Sequence, residues 1–124
     1  MDYKELRVWQ EARILVRDVY LLTRALPKEE VFGLASQTRR SAVSVPSNIA
    51  EGKGRNSQRE LVQFLYRARG SLLELETQVL LASDLGYVEE VTSAAITEKI
   101  KTVACTLNGL IRRVQEGIKV GGEQ

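Results

Sequence analysis

Residues 61–82 read LVQFLYRARGSLLELETQVLLA, and their apolar members Leu61, Leu65, Ala68, Leu72, Leu75, Val79 and Ala82 are separated by steps of 4, 3, 4, 3, 4 and 3. That rhythm keeps them on one side of an α-helix, with a period near 3.5 residues that suits a seam between supercoiling helices. A half-buried strand would need strict alternation, and this stretch has none. Ser57 stands where an N-cap belongs, Glu60 three residues on completes the pattern of a capping box, and Gly86 closes the far end.

The same steps recur in both directions from this segment. Upstream, GKGRN at 52–56 releases the chain from helical geometry. Before it, Val31, Ala35, Thr38, Ala42, Val45 and Ile49 mark a helix running to about Gly52, whose small seam lets neighbouring backbones come close. PKEEVFG at 27–33 makes the preceding turn, with Glu29 and Glu30 placed to favour the positive start of that helix. The first helix carries Val8, Ala12, Leu15, Val19, Leu22 and Leu26 and ends at Pro27. Downstream, the link GYVEEVTS at 86–93 leads to Ile96, Ile100, Val103, Leu107, Leu110 and Val114. Four such segments joined by short turns predict an all-α, left-handed, antiparallel up-and-down four-helix bundle over residues 1–117, with a flexible tail at 118–124. Its 124 residues suffice for one domain with a single core.

Pro46 falls inside the second helix and cannot donate to the carbonyl of Ala42, so a kink or restart is expected there. Ser44, Ser47 and Asn48 stand ready for the freed backbone groups, and Asn48 and Glu51 share one side of the last turns with Arg40, Lys53 and Arg55 near in sequence. This cluster reads either as a polar pocket or as a hydrogen-bond network that fixes register.

Some surface is left over. Val62, Tyr66, Leu73 and Leu80 form a second apolar stripe beside the seam of the third helix, and Trp9 and Tyr20 flank that of the first. The stripe either widens the side facing one core or is covered by another copy of the chain; the second is expected, with Val62, Tyr66, Leu73 and Leu80 as the oligomer interface.

Net charge is only +2, yet residues 39–69 hold seven cations (Arg39, Arg40, Lys53, Arg55, Arg59, Arg67 and Arg69) against Glu51 and Glu60, a local balance of +5. Lys53, Arg55 and Arg59 gather where the third helix begins and its first N–H groups lack helical partners, a combination suited to phosphate, so these seven are the candidate nucleic-acid contacts. Aromatic interleaving there is thin: Phe64, expected to face the core, and Tyr66.

Several chemistries are unsupported. The chain has no histidine, which removes the Glu-x-x-His pairs of di-iron bundles and every Ser/His or Cys/His nucleophile. Glu74 and Glu76 point to different faces, GKGR lacks the spacing of a phosphate-cradling loop, and nothing near Cys105 would activate a thiolate. No catalytic residue, cofactor or metal is expected. A single cysteine suits a reducing compartment, and charges every few residues in MDYKELRVWQEARILVRDVY leave no leader or spanning segment, so a cytoplasmic protein without membrane contact is expected.

LRVWQEA, then LPKEEVFGLASQTRRSAVSVPSNIAEGKGRNSQRELVQFL, then RGSLLELETQVLLASDLGY resemble the proteins encoded in intervening sequences of bacterial 23S ribosomal RNA, over residues 6–87. SVPSNIAEGKGR is the specific part, and Gln37, Arg40, Ser44, Pro46, Asn48, Glu51, Gly52 and Arg55 carry the signature with no assigned roles. The resemblance implies a homo-oligomer, a ring of five, without enzymatic activity. A more remote similarity, to accessory bundle proteins of diversity-generating retroelements, implies a protein-interaction scaffold whose partners are a reverse transcriptase and RNA or DNA.

Overall fold

The computed structural model describes residues 2–121. Four helices, α1 (Arg7–Thr23), α2 (Leu34–Lys53), α3 (Gln58–Asp84) and α4 (Glu90–Gly121), carry nearly all of the chain, with short 3-10 turns at Tyr3–Glu5 and Lys28–Glu30. No strand occurs among the described residues. Each helix packs on its chain neighbours and α1 closes on α4, with no diagonal pair in contact, so the four form an antiparallel ring around one core.

The seams become that core. Leu15, Val19, Val45, Ile49, Leu65, Leu72, Leu75, Val79 and Leu107 are all but inaccessible to solvent and belong to one contiguous cluster. Cutting one of these leucines back to alanine costs about 2–5 kcal/mol, because the cavity relaxes only in part. The α2–α3 pair is the most intimate, as the small seam of α2 predicts. Gly52 lies so close to α3 that a Cβ there would sit 2.8 Å from Phe64 Cβ and 3.0 Å from Leu61 Cδ1.

Five details differ from the expectations. Helix α2 starts at Leu34, because PKEEVFG needs its full length to reverse the chain, and Val31 is exposed in the turn. Ile111 is buried where Leu110 was expected, with Leu110 only packed alongside, since the last turns of a long straight helix drift from a strict 3.5 repeat. Ser57 Oγ accepts from the Glu60 amide at 3.1 Å, which supplies one half of the capping box. Pro46 lies inside one continuous helix, so of the expected kink or restart the restart does not occur. Helix α4 runs on to Gly121, so residues 118–121 of the expected tail are helical, carried by the packing of Ile118 on the core; residues 122–124 lie outside the described residues.

The α1–α2 turn has its own lock. Glu30 Oε1 accepts from the Leu34 amide at 2.9 Å, capping α2 from the side, while Tyr87 donates its hydroxyl hydrogen to Glu30 Oε2 at 2.9 Å and ties in the α3–α4 link. The amide and then the phenol favour the charged carboxylate and hold Glu30 below its ordinary pKa of 4.5; the same bond, with some burial, holds Tyr87 above its ordinary 10.0.

Candidate nucleic-acid interface

Of the polar signature residues, Ser44 and Asn48 lie along the outer edge of the α2–α3 contact. Ser44 Oγ and Ser71 Oγ are 2.7 Å apart across the two helices, and the Asn48 amide donates to the Ser44 carbonyl at 2.8 Å and to its hydroxyl at 2.9 Å. This triad stitches α2 to α3 and spans Pro46, with Ser44 before the proline and Asn48 after it. Arg40 and Gln37 are exposed and stand apart from it, Arg40 donating to Ser36 Oγ at 3.1 Å. The network therefore comprises Ser44, Asn48 and Ser71, the last absent from the expected cluster because it comes from another helix.

Glu51, Gly52 and Arg55 form a second group. Gly52 admits Phe64, and Arg55 folds back over that ring at 4.6 Å from its centroid while pairing with Glu51 at 2.7 Å. Arg67 covers the same ring at 4.4 Å. Phe64 is thus buried, as expected, but as the floor under two exposed guanidiniums and outside the main core cluster. Stacking on a ring fixes a guanidinium's plane and leaves its edge N–H groups available to an anion.

The seven candidate cations do not make one patch. Arg39 donates to Thr23 Oγ1 at 2.8 Å and lies 4.8 Å over Tyr20, on the α1 side of α2. Along α2, Arg39 and Arg40 stand roughly 20 Å from Lys53 at 1.5 Å per residue. Arg69 turns toward α4, stacked 4.7 Å over Tyr66 and donating to Asn108 Oδ1 at 3.3 Å. Lys53, Arg55, Arg59 and Arg67 remain together around the α2–α3 turn.

Two cations missed in the sequence join them. A groove of about 590 Å³ between the start of α3 and the end of α4 is lined by Arg59, Gln63 and Tyr66 from one side and by Arg112, Gln115, Glu116 and Lys119 from the other. Arg112 and Lys119 lie more than fifty residues from Arg59, and only antiparallel packing brings them near. The opposite end of the bundle carries Glu29, Glu30, Asp84, Glu89 and Glu90, so the rod is electrically polar along its axis.

The same groove corrects the expected oligomer stripe. Val62 is buried in the core cluster at 7% exposure, and Tyr66 is half-buried, accepting from the Gln115 amide with its hydroxyl. The overlying end of α4 covers both. Leu73 and Leu80, farther down α3, stay 62% and 47% exposed. The stripe therefore serves one core at its upper end and faces solvent at its lower end. Cys105 is exposed, and among the described residues no helix is long and apolar enough to cross a membrane.

The family described as 23S rRNA-intervening sequence protein matches residues 4–109. A crystal structure of a protein of unknown function from the S23 ribosomal protein family of Bacteroides thetaiotaomicron superposes with a TM-score of 0.78 at 20% identity, over 84% of this chain and 97% of that one. No curated protein matches.

Proposed function

The chain belongs to the 23S rRNA-intervening sequence protein family, and from that premise we propose a non-enzymatic, homo-oligomeric bundle of the cytoplasm that holds a nucleic-acid backbone at the end carrying the α2–α3 turn. One observation carries the reading: Lys53, Arg55, Arg59 and Arg67 share that end with Arg112 and Lys119, cations from three helices beside the first N–H groups of α3. Neutralising several phosphates at once releases counterions, which makes such binding tight at low salt and steeply salt-dependent. A ring of five subunits is the assembly expected.

Binding of structured RNA and of duplex DNA, measured at two salt concentrations, tests this. Affinity is expected to fall at least tenfold as salt rises severalfold, and Arg55→Glu with Arg59→Glu to abolish binding while the helical circular dichroism stays that of the parent. Absent or salt-insensitive binding overturns it. A second reading, a scaffold for a protein such as a reverse transcriptase, is favoured by Ile14 and Leu21, half exposed and two turns apart on the outer side of α1. A single protein recovered after nuclease treatment, and lost with Ile14→Glu, is its expected result.

A further inference from the structure

The outer side of the α1–α2 pair carries a continuous groove made of two hollows of about 590 and 350 Å³ that share Val43. Tyr3, Trp9, Tyr20 and Phe32 supply its rings, Phe32 at the turn being 96% exposed. Its charge comes from Arg13, 5.4 Å over Trp9, from Arg39 over Tyr20, and from Arg40; no carboxylate lines either hollow. An apolar trough with three cations and no anion calls for an occupant that is apolar and acidic.

The chain itself contains one. Residues 70–98 hold six carboxylates and no lysine or arginine. Within them Leu73, Leu80 and Leu81 project from α3 into solvent with Glu74 and Asp84 among them. In the ring of helices α3 does not touch α1, so this ridge and the groove lie on different faces and cannot meet within one molecule.

We propose that the α3 ridge of one copy, Leu73 and Leu80 with Glu74 and Asp84, seats in the α1–α2 groove of the next, its leucines against Tyr20, Val43 and Phe32 and its carboxylates against Arg13 and Arg40. Charge and apolarity match between the two surfaces, and neither surface matches itself. The contact is therefore head-to-tail, which closes into a ring when the rotation between subunits permits. It rests on the self-association included in the function proposed above and names the surfaces that make it.

The test mixes two variants. Phe32→Asp disables the groove and keeps the ridge; Leu80→Asp disables the ridge and keeps the groove. The parent is expected to sediment at several times 13.9 kDa, each variant alone at the single-chain mass, and an equimolar mixture as a species of two chains, joined through the one intact ridge and one intact groove. Arg40→Glu and Leu73→Glu, both at exposed positions, repeat the experiment should either first variant lose its helical circular dichroism. Variants that keep the parent's mass overturn the proposal and leave self-association standing; two monomeric variants that fail to pair overturn the head-to-tail geometry; a monomeric parent overturns both. A monomeric parent that binds a single-stranded oligonucleotide, with the binding lost in Tyr20→Ala, assigns the groove to nucleic acid instead.

Discussion

A methyl group on residue 52 would press on Phe64 Cβ at 2.8 Å and on Leu61 Cδ1 at 3.0 Å, both on the first turns of a packed helix that cannot retreat without opening the core. Gly52→Ala is expected to cost about 1–3 kcal/mol, the usual range for overpacking, read as a lower urea midpoint, whereas Gly54→Ala, whose Cβ meets nothing nearer than a carbonyl at 3.5 Å, leaves it nearly unchanged. Glu30 acts through charge. Its carboxylate is held below its ordinary 4.5 by the Leu34 amide and the Tyr87 hydroxyl, so its contribution to stability is full above the unfolded value and is lost as pH falls through the lower folded value. Glu30→Gln should therefore flatten the fall in melting temperature on the acid side of about pH 4.5 and lower the melting temperature at neutral pH. The amide side chain cannot supply the charge that α2's start favours.

At the level of elements, α2 and α3 are joined twice, by close apolar packing and by Ser44, Asn48 and Ser71 at its edge. Removing a neutral hydrogen-bond partner at a half-buried site costs about 1 kcal/mol. Asn48→Ala and Ser71→Ala are each expected to lower stability by that amount. Because both act on Ser44, the double variant should lose measurably less or more than the sum, a coupling that a denaturation cycle reads directly. The same joint explains the continuity of α2 through Pro46. Val45 and Ile49 are buried in the shared core on either side of the proline, and the Asn48 side chain ties back to Ser44 across it.

On the scale of the molecule, charge is polarised along the rod, with cations gathered at the α2–α3 turn and carboxylates at the opposite end. Arg112→Ala with Lys119→Ala removes two cations from the α3–α4 groove without touching the core. It should reduce the slope of log affinity against log salt by about 1 to 2, the loss expected when one or two phosphate contacts disappear. Salt is expected to act in the same direction on both proposed contacts, to different extents. Raising it should release any bound nucleic acid and weaken the charged part of the proposed copy-to-copy contact, while leaving its leucine part.

The four helices, their seams and the turns at Pro27, GKGRN and Gly86 were legible in the residues alone, because a 3.5-residue rhythm and its interruption are local properties that the backbone must obey wherever it goes. The small seam of α2 likewise announced its close approach to α3. What covers a residue is not local. Val62 and Leu80 stand at equivalent positions on one stripe, and only the end of α4 arriving over Val62 decides that one is core and the other is surface. By the same cause Arg112 and Lys119 meet Arg59 across more than fifty residues, Ser71 completes a network begun by Ser44, and Phe64 ends beneath two arginines: burial and proximity belong to pairs of helices, and a pair exists only once the chain has folded.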